Sequence, residues 1–232
     1  MKAIIFLLAI FMTLNSEAQI AEKETYLADF KKELSKQWPD NRTLNIVFHG
    51  HSVPSGYFKT PAVNTLQAYP HLVFHALKTH YPYSVLNVIT TSIGGENAEN
   101  GEKRFAEEAL SHRPDVLFID YALNDRGIGV ERSRTAWESM IKSALERNIK
   151  VILMTPTPDM NENILDEDSK LNAHTKMIRE LAEKYHTGLV DSYSIFKEKA
   201  VKGEKLETYM SQSNHPNCAG HNAVASEIIT WF

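Results

Sequence analysis

A serine, a histidine and a set of hydrogen-bond donors stand at points of the sequence where apolar, strand-like runs end. Ser52 follows such a run directly, after Gly50 and His51, and His215 stands just before Pro216. A serine hydroxyl is a weak nucleophile, so a neutral imidazole must take its proton during attack. The oxyanion that results needs preorganised donors. These residue types therefore fit acyl transfer through a covalent intermediate.

Candidate oxyanion donors follow two further strand-like runs. Gly94 and Gly95 come after the second run and open a helical pattern, where free backbone N–H groups can point at an anion. Asn124 comes after the third run and adds a side-chain amide. Because parallel strands deliver their carboxyl ends to one edge of a sheet, we expect these donors to lie close to Ser52.

The elements that must position these residues alternate along the chain. Apolar, β-rich runs predict strands over residues 44–48, 84–89, 116–121, 151–155 and 188–190. Apolar periodicity predicts helices over residues 20–38, 66–80, 98–111, 130–148, 168–186 and 218–232. This alternation indicates βαβ units and a parallel sheet covered on both faces, in one α/β domain.

Composition and charge restrict the class of protein. The chain has 232 residues, 43% of them hydrophobic, which is enough for one domain with a sizeable core. The formal net charge of -4 provides no basic surface, so we expect no nucleic acid partner. The sequence carries no signal for the oligomeric state.

The N-terminal segment differs in character from the remainder. Residues 1–18 contain a lysine, an apolar run over 3–14 and small residues at Ser16 and Ala18, a pattern typical of a signal peptide. The run is shorter than the ~20 apolar residues of a membrane span. We therefore expect residues 19–232 to be the mature domain, exported to the periplasm or secreted. No cysteine stands near residue 18, so a lipid anchor would have no attachment point there. We therefore expect no stable membrane anchor.

Four sequence blocks resemble those of the SGNH, or GDSL-type, hydrolase family. The Gly-Asp-Ser block stands here as Gly50-His51-Ser52, and the second block as Gly95-Glu96 with Gly101 six positions after Gly95. The Gly-x-Asn-Asp block reads Ala122-Leu123-Asn124-Asp125. The Asp-x-x-His-Pro block reads Gln212-Ser213-Asn214-His215-Pro216. The blocks occur in the family's order over nearly the whole mature chain.

The resemblance implies a fold and a site. The SGNH hydrolase fold is a single-domain, three-layer α/β/α sandwich with a five-stranded parallel sheet in flavodoxin-like order. It implies Ser52 as nucleophile and backbone donor, Gly95 as second backbone donor, Asn124 as side-chain donor and His215 as base. A small-molecule or glycan ester is the expected substrate. By family analogy the acyl group is short, with acetyl on a carbohydrate favoured, and no cofactor is required.

Three positions depart from the family's blocks. His51 replaces an aspartate outside the catalytic roles, and Ala122 replaces a glycine. Gln212 stands where the family has the aspartate that orients the histidine. We hypothesise that His215 works in a dyad, its tautomer fixed by Gln212 or by a backbone carbonyl. An acid from another strand end is a further alternative, with two candidates: Asp159 and Asp191.

Residues beside the nucleophile are candidates for substrate contact. They are His51, Tyr57 and Gly94, and the aromatic pair Tyr57 and Phe58 could stack on a sugar ring. Two alternatives to a short-chain esterase stay open: an impaired domain that only binds acylated glycans, and an acyltransferase or lipase-type acylhydrolase.

A metal site is the remaining alternative in the sequence. His49 and His51 alternate along an extended segment, and His71 and His75 share a helix face. Neither pair has an obvious third ligand nearby in sequence, so the sequence favours a site without metal.

Overall fold

Five parallel strands form the central sheet in the computed structural model, which describes residues 19–232. They are β1 (Thr43–Gly50), β2 (Val85–Thr90), β3 (Val116–Asp120), β4 (Lys150–Met154) and β5 (Gly188–Val190). Their order is β2-β1-β3-β4-β5, which is the predicted flavodoxin-like order. The predicted signal peptide, residues 1–18, lies outside the described residues.

Helices cover both faces of this sheet. The helices are α1 (Lys23–Tyr26), α2 (Ala28–Leu34), α3 (Ser52–Ser55), α4 (Tyr69–His80), α5 (Ala98–Arg104), α6 (Ala122–Asp125), α7 (Val130–Leu145), α8 (Lys170–Tyr185), α9 (Ser192–Val201) and α10 (Cys218–Ile229). An antiparallel hairpin, β6 (Met210–Gln212) and β7 (His215–Pro216), precedes α10. Among residues 19–232, no helix is both long and apolar enough to cross a membrane.

Two apolar clusters separate the layers. In β1, Ile46 and Phe48 pack with α2, α4, α9 and α10, whereas Val47 packs with α5, α7 and α8. Successive strand residues point to opposite faces, so an unbroken apolar run supplies both clusters. The three-layer α/β/α prediction is therefore confirmed.

Several element boundaries differ from the sequence prediction. The helix predicted over 20–38 is two short helices that meet at Leu27, and α5 gives way to a π-helical turn over Phe105–Ala109. Helix α9 was not predicted, since it buries only Ser192, Tyr193 and Phe196 and so lacks a full apolar stripe.

The strand order reverses beside β1. Strand β1 pairs with β2 on one side and with β3 on the other, so the chain leaves the sheet in opposite directions from this point. A crevice forms at the carboxyl ends of strands where the order reverses. Helices α3 and α6 both begin at this edge, directly after β1 and β3.

Candidate active site

A tight turn after β1 presents Ser52. At Gly50, a side chain would place its Cβ 2.4 Å from the Asp120 carbonyl oxygen, so only glycine permits this approach of β1 to β3. Ser52 begins the one-turn helix α3 and is 6% exposed. Its Oγ lies 2.9 Å from His215 Nε2. The turn therefore brings together the predicted nucleophile and the predicted base.

The hydrogen bonds of His215 define its tautomer. Its Nδ1 lies 2.8 Å from the backbone oxygen of Phe58. A carbonyl oxygen only accepts, so Nδ1 carries the hydrogen and Nε2 presents a lone pair to the Ser52 hydroxyl. This is the arrangement that a general base requires.

Burial keeps the His215 imidazole neutral. Desolvation lowers its pKa from the ordinary 6.5, the hydrogen bond to Phe58 opposes this shift, and the neighbouring His51 adds to it. Burial disfavours the charged form of a histidine. The ring is therefore unprotonated, and able to accept a proton, over a wider range of acidic pH.

Gln212 does not bind the His215 ring. Its Oε1 accepts a hydrogen bond from Thr60 N at 3.0 Å, and its Nε2 donates to Asn214 Oδ1 at 3.1 Å. Of the two proposed means of fixing the His215 tautomer, the contact present is the backbone carbonyl, here that of Phe58. The direct hydrogen bond considered for Gln212 is therefore not the one that fixes the tautomer.

The two alternative acids are engaged elsewhere. Asp159 pairs with Arg126 at 2.6 Å, and Asp191 pairs with Arg179 at 2.8 Å. Each carboxylate also accepts from neighbouring side chains, Asn161 for Asp159 and Thr155 for Asp191. Both aspartates serve as structural acceptors after their strands.

The loop over residues 56–64 holds the Phe58 carbonyl in place. Phe58 N donates to Ala62 O at 3.0 Å, and Asn64 N donates to Gly56 O at 2.7 Å. The Phe58 ring, 7% exposed, stacks on His221 with centroids 5.2 Å apart. Gln212 adds the contact to Thr60. The acceptor of the His215 Nδ1 hydrogen thus sits in a fixed loop.

Gly95 and Asn124 lie together on another side of the site. Gly95 has φ +77° in a turn closed by Glu96 N donating to Ile93 O at 3.3 Å. The Asn124 amide donates to Glu96 O at 2.9 Å, which leaves its second N–H for a ligand. The two predicted donors therefore belong to one connected unit.

An ion pair between Arg104 and Glu96 holds the turn that carries Gly95 and the acceptor of Asn124. Arg104 Nε lies 2.9 Å from both carboxylate oxygens of Glu96, and Arg104 also donates to Thr91 O at 2.6 Å. The Tyr121 hydroxyl donates to Glu96 Oε2 at 3.0 Å. These charge-assisted contacts restrain the Glu96 carbonyl that orients Asn124.

The substrate-contact candidates divide into two groups. The centroid of the Tyr57 ring lies 6.0 Å from that of His215, and a Cβ at Gly94 would come within 3.2 Å of the Tyr57 ring. Tyr57 and Gly94 therefore border the site. His51 is 1% exposed and faces the interior, which makes the prediction of substrate contact wrong for this residue. Phe58 is buried too, against His221, and cannot stack on a sugar.

The histidines considered as metal ligands do not converge. The ring of His49 binds Thr91 Oγ1 and Gly101 O, while His51 Nδ1 accepts from Val53 N. Within the part of the chain that the structure describes, no group of three or more His, Cys, Asp or Glu residues is placed to hold a metal ion.

Two features of the site escaped sequence reasoning. The Phe58 carbonyl is a main-chain group, and no residue type signals it. Asp120 ends β3 as a buried carboxylate beside His51, at 3.4 Å, and only the pairing of β1 with β3 shows that contact. A charged residue ending an otherwise apolar run was the one available signal.

Comparison with known proteins identifies one matching family and several similar folds. The model of the GDSL-like lipase/acylhydrolase family matches residues 48–223. A two-domain esterase active on acetylated mannans is 22% identical, with a TM-score of 0.71, over 89% of this chain and 52% of that chain. A catalytic mutant of an acetylxylan esterase from Geobacillus stearothermophilus is 19% identical, with a TM-score of 0.70, over 81% and 93%.

One curated relative matches a shorter stretch. An uncharacterized lipoprotein, YqeF of Bacillus subtilis (strain 168), is 31% identical over 86 residues, which cover 34% of this chain and 35% of that protein. The chain thus spans about half the length of the two-domain esterase, and the aligned stretch covers about a third of the lipoprotein.

Proposed function

Because this chain belongs to the GDSL-like lipase/acylhydrolase family, a family of carboxylic ester hydrolases, we propose that it is an exported serine esterase that removes short acyl groups, acetyl above all, from carbohydrate. The observation that carries the proposal is the Ser52–His215–Phe58 chain of hydrogen bonds. It gives a serine hydroxyl a neutral base of the correct tautomer without a carboxylate.

The proposed mechanism has two halves. Ser52 Oγ attacks the ester carbonyl carbon while its proton passes to His215 Nε2. The tetrahedral oxyanion receives hydrogen bonds from the backbone N–H groups of Ser52 and Gly95 and from the Asn124 amide. His215 then gives its Nε2 proton to the leaving alcohol, and the acyl group stays on Ser52.

Water completes the cycle by the same route. It attacks the acyl-enzyme while His215 Nε2 takes its proton, and collapse of the second intermediate returns that proton to Ser52 and releases the acid. Throughout, Nδ1–H stays bonded to the Phe58 carbonyl. That contact supplies a dipole where other serine hydrolases supply a charge, so we expect slower turnover than a full triad would give.

The substrate proposal is supported by similarity and by the site border. Two similar structures are described as esterases of acetylated mannans and of acetylxylan. Tyr57 beside His215 and Gly94 offers an aromatic surface at the reaction centre. Export is supported by the pattern of residues 1–18 and, more weakly, by the lipoprotein relative.

Hydrolysis of p-nitrophenyl acetate, butyrate and octanoate tests this function, with acetate release from acetylated xylan and mannan as the second assay. We expect rates to fall with acyl length and Ser52→Ala to abolish turnover. Ser55→Ala is the matched control, since Ser55 lies one turn further along α3 and its hydroxyl contacts backbone oxygens. Equal background rates in the unmodified protein and Ser52→Ala would instead favour a domain that binds acylated glycans without cleaving them.

A further inference from the structure

The buried pair His51 and Asp120 lies directly behind the nucleophile and has no part in the mechanism above. His51 is 1% exposed and Asp120 is 5% exposed. A buried carboxylate and a buried imidazole are costly unless their hydrogen-bonding groups are used. Their contacts therefore indicate what the pair does.

His51 caps the turn that carries Ser52. Its Nδ1 accepts a hydrogen bond from Val53 N at 3.1 Å, which satisfies a free N–H at the start of α3. This contact fixes the peptide group between Ser52 and Val53. It requires a lone pair on His51 Nδ1, so the ring must carry its hydrogen on Nε2.

Asp120 selects that tautomer. Its Oδ2 accepts a hydrogen bond from the Tyr69 hydroxyl at 2.8 Å. Its Oδ1 lies 3.4 Å from His51 Nε2, and neither of these two atoms has a well-aligned hydrogen-bond partner among residues 19–232. A carboxylate oxygen only accepts, so it favours a hydrogen on the facing nitrogen.

We propose that His51 and Asp120 form a coupled positioning pair, in which Asp120 holds His51 in the Nε2–H tautomer so that Nδ1 caps the Ser52 turn. The inference rests on the proposed role of Ser52. It also connects two features of this chain, because the histidine stands where the family block has an aspartate, and the acid lies on the adjacent strand. Neither residue touches the reacting atoms.

The pair predicts that a change at either residue alone is harmful. In Asp120→Asn, the introduced amide has one oxygen for two facing donors, so either the Tyr69 hydroxyl loses its acceptor or His51 changes tautomer and loses the cap. In His51→Asp, two buried carboxylates face each other. We expect kcat to fall about tenfold in each variant with KM little changed.

The double variant His51→Asp/Asp120→Asn should recover most of the lost kcat. The introduced carboxylate can cap Val53 N, and the introduced amide can donate toward it while its oxygen accepts from Tyr69. We expect kcat within about threefold of the unmodified protein, a non-additivity that uncoupled sites do not show. Asp191→Asn is the matched control, an isosteric change at the same sheet edge within a separate network, and it should leave kcat unchanged.

A spectroscopic measurement tests the pair even if these variants fold poorly or the protein proves not to be an esterase. Long-range 1H–15N correlation spectra of the protein labelled at histidine nitrogens report each tautomer, and His51→Asn identifies the His51 signals. We expect His51 protonated on Nε2 and His215 on Nδ1. A His51 ring protonated on Nδ1 would overturn the proposal, as would strictly additive losses in the double variant. If the unmodified protein shows no Ser52-dependent hydrolysis but the His51 tautomer is as expected, only the proposed function is contradicted.

Discussion

At the residue scale, the base of the proposed site depends on a main-chain acceptor. The Phe58 carbonyl orients the His215 ring and carries no net charge, and burial lowers the pKa of His215. In a triad, an aspartate stabilises the imidazolium and raises the tendency of the ring to take a proton. Here desolvation outweighs the hydrogen bond to Phe58, so the ring resists protonation.

The pH dependence of turnover follows from the downward shift of the His215 pKa. The mechanism needs neutral His215, and a lowered pKa keeps the ring neutral to lower pH than the 6.5 of an ordinary histidine. We expect the acidic limb of kcat/KM for p-nitrophenyl acetate to have its midpoint below 6.5. A midpoint above that value would mean that a negative charge acts on His215 after all.

Gly95 provides a second prediction at this scale. Its φ of +77° disfavours any side chain, although a Cβ there would meet no atom within 4 Å. Gly203, at the end of α9, has φ +80° and equally open space, which makes it a matched control. Alanine at either position should cost about 1–2 kcal/mol of unfolding free energy, while only Gly95→Ala should also lower kcat, by about tenfold or more. Equal kcat in the two variants would contradict the donor role of Gly95.

At the element scale, a loop and a hairpin together position the His215 base. The loop over 56–64 supplies the orienting carbonyl, and the β6–β7 hairpin supplies His215. The Gln212 side chain joins them through its hydrogen bond with Thr60 N. The residue at the position of the family's aspartate thus contacts the loop that bears the orienting carbonyl and not the His215 ring.

Substitution of Gln212 tests this indirect connection. Gln212→Ala removes a hydrogen bond of about 1 kcal/mol, so we expect kcat to fall up to about fivefold. Gln212→Glu keeps an acceptor for Thr60 N and should stay close to the unmodified rate. Ser213→Ala, in the same hairpin, is the control, because the contact of Ser213 with Met160 uses its backbone oxygen. Full activity in Gln212→Ala would show that the loop keeps its position without the hydrogen bond between Gln212 and Thr60 N.

Sequence patterns predict the elements of this site better than their contacts. Strand β3 is predicted over 116–121 and observed over Val116–Asp120, because buried apolar runs are visible in sequence. The hairpin was not predicted, since Gln212 and His215 form a short irregular pair with no apolar alternation. The contact between His51 and Asp120 depends on which strands are neighbours, and the Phe58 carbonyl carries no side-chain signal.

At the scale of the whole molecule, buried histidines link stability to pH. Desolvation lowers the pKa of His49 and of His221 to about 4, from an ordinary 6.5. Between these pH values the unfolded chain binds protons that the folded chain excludes, so the free energy of unfolding falls as the pH falls. Asp125, whose pKa burial raises, acts in the opposite sense.

Urea unfolding at pH 7 and pH 5 measures this linkage. We expect each histidine to remove about 2 kcal/mol of stability over that interval, because one pKa unit corresponds to about 1.4 kcal/mol. His221→Asn preserves an acceptor for Tyr69 N and should roughly halve the loss. An unchanged free energy of unfolding between the two pH values would show that these rings take up protons without unfolding.

The acceptor behind His215 also bears on how such a site can change over time. Every amino acid contributes a backbone oxygen, so no single substitution at position 58 deletes the group that orients the base. An acidic side chain can be lost in one step, whereas this oxygen can be moved only by rebuilding the loop over 56–64. In this chain a change at position 212 therefore alters a contact with the loop but leaves in place the group that orients the base.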